Sequence, residues 1–217
     1  MADQRRFYDE ILNPLMKQAG KGEIALLFLD ASHFVMGCDF LGYIYGRVRR
    51  FVRTWSGRKR YNVLGAIDFI TKKVHTVVND SYITATEVCE MLSKLRLEYA
   101  DRAIHLVLDN ACYQKCRAVQ EMASNLEIHL EYIPPYSSNL NLIERLWKFV
   151  KGELRTKYYD DFSLFCEKID SILDCTTQTN KAKVEKLMSE KVQLFDGLSP
   201  ITDNTFSNVS HCRLIAA

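Results

Sequence analysis

The chain has 217 residues, 47% hydrophobic and 26% charged, with a formal net charge of +2. That describes an ordinary globular protein with one substantial core, or one domain with a small appendage. No apolar run approaches the roughly 20 residues of a bilayer span, the first residues lead into no signal core, and seven scattered cysteines suit reduced thiols in a cytoplasmic protein.

Residues 7–19 carry helical spacing through Phe7, Ile11, Leu12, Leu15 and Met16, weakened in the middle by Pro14. Glu23-Ile-Ala-Leu-Leu-Phe-Leu-Asp30 is a continuous apolar run of strand length, expected to be buried on both faces and closed by Asp30. A second strand is expected over Leu41–Val48 and a third over Asn62–Ile70, with Lys73–Val78 folding back on the third. Thr84-Ala-Thr-Glu87 reads as a capping box opening a helix through Val88, Met91, Leu92, Leu95 and Tyr99. Ala103–Asp109 is another buried strand ending on Asp, followed by a helix over Cys112–Asn125 and a strand over Glu127–Ile133. A helix over 142–156, with Asn141 as its N-cap, buries Ile143, Leu146, Trp147, Val150 and Leu154.

Strand–helix–strand crossovers require parallel strands with helices on the sheet faces. The expected class is therefore α/β, with a mixed central sheet of about five strands. Residues 1–22 read as an N-terminal helix and linker and 23–160 as the main domain. Two C-terminal helices follow within 161–194, and 195–217 read as a polar tail.

Two buried strands end in carboxylates, Asp30 and Asp109, and Glu144 opens a helix just after a Pro-Pro corner. Ligands of open α/β sheets gather at the carboxyl ends of strands. A capping role explains any one of these acids, but not all three at matched junctions. Three carboxylates without a convergent His/Cys set favour hard, oxygen-preferring cations, two Mg²⁺ or Mn²⁺. Such a pair can hold both the entering and the leaving oxygen of an in-line phosphoryl displacement. Asp30, on the strand expected at the centre, is the better candidate to bridge both ions. His33, Asn110 and Asn141 lie near enough in sequence to orient ligands, water or phosphate.

The segment Arg47–Arg60 holds seven positive charges in fourteen residues and no acid. Arg47, Arg49, Arg50, Arg53, Arg58, Lys59 and Arg60, with Trp55 among them, suit a DNA backbone with an aromatic to pack or stack. Lys148 and Lys151 follow Glu144 at i+4 and i+7, on one helical face. Cys112-x₃-Cys116 with His105 or His129 is a weak zinc pattern whose fourth ligand would be arbitrary.

Leu108-Asp-Asn-Ala111, the 34 residues between Asp109 and Glu144, and Pro134-Pro-Tyr-Ser-Ser-Asn-Leu-Asn-Leu-Ile-Glu-Arg-Leu-Trp147 together resemble the catalytic domain of mariner-type DDE transposases. The bacterial insertion-sequence branch is the closer likeness, and Asp30-Ala-Ser-His-Phe34 is similar to the first catalytic block. The resemblance spans about residues 7–175. It implies a ribonuclease H-like fold, Asp30, Asp109 and Glu144 as catalytic metal ligands, and Mg²⁺-dependent cleavage of double-stranded transposon ends. The freed 3′-OH would then join target DNA, with a homodimer acting at the nucleoid. The same fold also serves purely hydrolytic nucleases, and a catalytically silent DNA-binding remnant is a third reading. Two departures stand out. Ser138 and Leu142 replace prolines usual before the Glu, which should loosen that turn. About 23 residues precede the first catalytic strand, where relatives carry a helix-turn-helix, so end recognition is expected to need a separate domain of that kind.

Overall fold

The computed structural model describes residues 2–36, 59–154 and 157–174, together with 182, 184 and 186. Helix α1 (Ala2–Phe7), a π-helical turn (Tyr8–Leu12) and α2 (Asn13–Gly20) follow one another, with right-handed helical backbone at Phe7, Leu12 and Asn13. Pro14 therefore does not break the helix. It lies in the first turn of α2, where its missing N–H matters least, and the wider π turn falls just ahead of it.

Five strands follow: β1 (Ile24–Val35), β2 (Arg60–Asp68), β3 (Val74–Asn79), β4 (Ala103–Leu108) and β5 (Ile128–Tyr132). They form one sheet in the order β3-β2-β1-β4-β5. β1, β2 and β3 make an antiparallel meander, and β4 and β5 add on in parallel. Helix α3 (Ala85–Glu98) connects β3 to β4, and its expected capping box is formed, Thr84 and Glu87 satisfying each other's backbone N–H groups. Helix α4 (Arg117–Asn125) starts five residues later than its apolar spacing suggests, because Cys112–Cys116 form turns instead. Helices α5 (Ile143–Leu154) and α6 (Phe162–Leu173) complete the described fold. The strand expected over Leu41–Val48, the second helix expected within 161–194 apart from three residues, and the 195–217 tail lie outside the described residues.

The apolar run of β1 is explained by its place at the centre of the sheet. Ile24, Leu26, Phe28 and Phe34 join the core under α2, α5 and α6. Ala25, Leu27 and Leu29 join a second core under α3 and α4. The molecule is thus three-layered, helices–sheet–helices. In the β2–β3 turn, Asp68 is buried and its Oδ1 accepts from the N–H groups of Ile70 and Thr71. Among the described residues, no helix is long and apolar enough to cross a membrane.

One expectation about β1 is corrected. The strand does not stop at Asp30 but runs five residues further. Its parallel pairing with β4 ends at Phe28↔Val107, whereas its antiparallel pairing with β2 continues to Val35↔Arg60. Asp30 therefore lies just past the point where β1 loses one neighbour, so a strand-end position survives on the β4 side alone.

Candidate active site

Strand alternation turns Asp30 to the Phe28 and Phe34 side of the sheet, where α5 packs. Its Oδ2 accepts a hydrogen bond from the Trp147 indole Nε1 at 2.9 Å. Asp109 follows β4 directly, and its Oδ1 accepts from the Ala111 N–H at 3.0 Å. The loop is fixed to the end of β5 twice: Ile133 N–H donates to the Leu108 carbonyl at 3.0 Å, and the Asn110 amide donates to the Ile133 carbonyl. Glu144 sits in the first turn of α5 with its side chain toward solvent.

The three acids act on one another. Burial pushes the Asp30 carboxyl up from its ordinary 3.8 to about 7, and the charges of Glu144 and then Asp109 add to the rise. Hydrogen bonds from the Ala31 backbone and from Trp147 oppose it. Partial burial also raises Glu144, with Lys151 lowering it and Asp109 raising it further. The Tyr113 phenol is pushed up to about 12 by burial and then by Asp109 and Asp30, so it faces the same cluster.

A carboxyl whose pKa is higher folded than unfolded binds a proton more tightly in the native state. Its effect on stability therefore falls as pH rises from about 4 to about 7 and is fully unfavourable above that. In EDTA, Asp30→Asn is expected to raise the urea unfolding midpoint relative to wild type at pH 8, with the gap closing by pH 4. An equal gap at both pH values would refute the assignment.

Asn141 does not cap α5. The helix begins at Ile143, and the buried Asn141 amide instead donates to the Leu29 carbonyl at 2.9 Å. That bond ties the turn before Glu144 to the strand bearing Asp30, one residue ahead of it. Nor is the turn loosened by its missing prolines. Ser138–Leu140 form a 3₁₀ turn, Leu140 N–H donates to Ser137 O, Asn141 N–H donates to Ser138 O, and Leu140, Leu142 and Ile143 are fully buried.

His33 is corrected as a neighbour of the acids. Three residues on from Asp30, it faces the opposite side of β1, exposed, with its Nδ1 2.6 Å from Asn62 Oδ1. Lys151 reaches back along α5, its ammonium 6.0 Å from the Phe34 ring centroid, whereas Lys148 is exposed. In the basic segment, Arg47, Arg49, Arg50, Arg53, Trp55 and Arg58 lie outside the described residues. Of the remainder, Lys59 stands over the Phe162 ring at 5.6 Å and Arg60 is exposed at the start of β2. His105 and His129 stack with centroids 4.5 Å apart, and His105 Nδ1 is 3.0 Å from Glu131 Oε1. Cys116 gives its thiol hydrogen to the Tyr113 carbonyl. Sequence reasoning missed Trp147 and Tyr113 as neighbours of the acids; Trp147 had the signal of a core residue and nothing more.

A family model described as DDE superfamily endonuclease matches residues 25–166, from β1 into α6. The chain belongs to that family. Among solved structures, this DDE superfamily chain is similar to the Mos1 strand transfer complex at TM-score 0.61 and 15% identity, over 90% of its own length and 62% of the other chain. It is similar to the catalytic domain of Mos1 mariner transposase at TM-score 0.58 and 14% identity, over 86% and 87% of the two chains. The Mos1 catalytic domain with raltegravir and Mn gives 0.57 and 16%, over 89% and 96%. The chain thus spans less than two thirds of the chain in the Mos1 strand transfer complex. At these identities the likeness establishes the ribonuclease H-like fold. No curated protein matches the sequence.

The donor set of Asp30, Asp109 and Glu144 has the chemistry that suits a hard divalent cation. All three acids are oxygen donors from separate elements, and their mutual repulsion is what a cation between them would relieve. Among the described residues, however, no three His, Cys, Asp or Glu side chains are grouped closely enough to hold one ion.

Proposed function

We propose that this protein is the catalytic part of a DNA transposase of the bacterial insertion-sequence kind, cutting DNA and joining the freed 3′-OH to a target at the nucleoid. The observation that carries the reading is the match of residues 25–166 to a DDE superfamily endonuclease, with three acids from β1, the β4 exit and α5 near enough that, after burial, the charges of Glu144 and Asp109 add to the rise of the Asp30 carboxyl. Residues 23–160 would form the catalytic unit.

Asp30, Asp109 and Glu144 would hold two Mg²⁺ or Mn²⁺. Bound there, the ions would supply Lewis-acid stabilisation of the entering and leaving oxygens of an in-line phosphoryl displacement. The chain's own part is placement. Asn141 keeps the Glu144 turn against β1, the Asx turn at Asp109 fixes that carboxyl beside Ala111, and Lys151 offers a positive charge near the cluster for a phosphate. Arg47, Arg49, Arg50, Arg53, Trp55, Arg58, Lys59, Arg60 and Lys148 would track the double helix, with salt-dependent affinity. A homodimer would pair two ends, and a helix-turn-helix domain would choose them. The Mos1 structures it resembles, among them a strand transfer complex, a paired-end complex and a catalytic domain with Mn, support this direction.

The discriminating experiment incubates the protein, Mn²⁺ and supercoiled plasmid with a labelled oligonucleotide bearing a free 3′-OH. Label joined covalently to plasmid is the expected result. Nicked plasmid without joined label would make the protein a hydrolytic nuclease, and neither product would leave a silent DNA-binding remnant.

A further inference from the structure

Gly65 lies in the middle of β2, directly opposite Asp30 in the antiparallel register. A Cβ at that position would fall 2.6 Å from Trp147 Cη2, 2.9 Å from Trp147 Cζ2 and 3.1 Å from Ile143 Cδ1. The first two distances are shorter than real Cβ contacts. An isolated glycine inside a strand marks a close approach by another group, and here that group is the indole of Trp147. The ring is buried, meets Phe34 edge-on at 6.1 Å and 75°, and puts Nε1 2.9 Å from Asp30 Oδ2. Trp147 lies three residues after Glu144, one turn along α5, so the helix that presents one acid also carries the donor that grips another.

A tryptophan N–H only donates, so it can hold a carboxylate oxygen but never compete with it for a cation. With Oδ2 held by the indole and the Ala31 N–H also bonded to the carboxylate, rotation of the group is restrained, and the oxygens keep further lone pairs for a ligand. We propose that Trp147, seated in the space left by Gly65, is a positioning residue that orients the Asp30 carboxylate for a divalent cation. This rests on the reading of Asp30 as a metal ligand. The competing account is packing alone, in which a large core residue merely finds a partner for its N–H.

The two accounts separate on metal affinity. The Mn²⁺ dissociation constant of the full chain is measured by the electron paramagnetic resonance of free Mn²⁺ for wild type, Asp30→Asn, Trp147→Phe and Gly65→Ala. Val150→Ala, a buried cavity mutant elsewhere on α5, is the stability control. Trp147→Phe removes the donor together with part of the ring over Gly65, a loss of packing that the Val150→Ala control calibrates; Gly65→Ala keeps the donor and displaces it. Removing a group that orients a metal ligand weakens binding roughly 10- to 100-fold, and that loss is expected in both variants, with Val150→Ala within about twofold of wild type. Trp147→Phe binding as tightly as wild type would overturn the proposal while leaving the metal site standing. Equal weakening in Val150→Ala would assign the effect to packing and overturn it too. Wild type binding no better than Asp30→Asn would remove the metal-ligand reading itself, and the proposal with it. Should Trp147→Phe not fold, the indole ¹H–¹⁵N resonance of Trp147 in wild type decides. It is expected to move on adding Mg²⁺ and to stay in place in Asp30→Asn, and a resonance unmoved in wild type overturns the proposal.

Discussion

Asp109→Asn is expected to slow Mn²⁺-dependent nicking of supercoiled plasmid by about a thousandfold or more. A bound metal contributes several kcal/mol of transition-state stabilisation, and each 1.36 kcal/mol is tenfold in rate, so losing one ligand of the proposed pair removes about three decades. The substitution is mild for the fold. Asn keeps the oxygen that accepts from Ala111 N–H, and the Asn110 amide still anchors the loop to Ile133. Glu144→Gln should match it, because Glu144 lies at the surface of α5 and carries no core packing. A rate within tenfold of wild type for both variants, with unfolding midpoints unchanged, would sink the assignment of these acids.

The largest effect on stability is expected from Phe28→Ala. Phe28 is fully buried at the last β1 position paired in parallel with β4, and it meets Phe69 edge-on at 6.3 Å. Truncating such a ring costs about 3–5 kcal/mol through lost transfer energy and the cavity left behind. Against a typical domain stability of about 5–15 kcal/mol, that is about a fifth of the total or more. Guanidinium unfolding measures it directly; a cost below about 1 kcal/mol would mean that Phe28 is not part of a close-packed core.

β4 and its terminal Asp109 were legible in the sequence because an apolar run there ends where the strand does. Five strands and the Thr84 cap were legible for the same local reasons. Asp30 was found through the same pattern, yet the strand continues past it, because Ala31–Val35 pair with β2 alone, and pairing across about thirty residues leaves no local mark. Asn141 looked like a cap because its spacing to Glu144 fits a capping box, but a nearby carbonyl on β1 took its amide. The Trp147–Asp30 bond was illegible, since it depends on the register that sets Gly65 opposite Asp30. The glycine was the one available signal, an unexplained gap in an otherwise bulky strand.

The two bonds that tie α5 to β1 have a consequence for how the molecule comes into being. Asn141 reaches Leu29 across 112 residues and Trp147 reaches Asp30 across 117, whereas β5, the last strand of the sheet, is complete at Tyr132. During synthesis all the described strands are available before either anchor has been made, and the third acid, Glu144, arrives between the two. A chain stopped between Tyr132 and Asn141 would therefore hold every described strand and two of the three acids, with Asp109 already held by its own loop but neither α5 bond yet made to Asp30 or its strand.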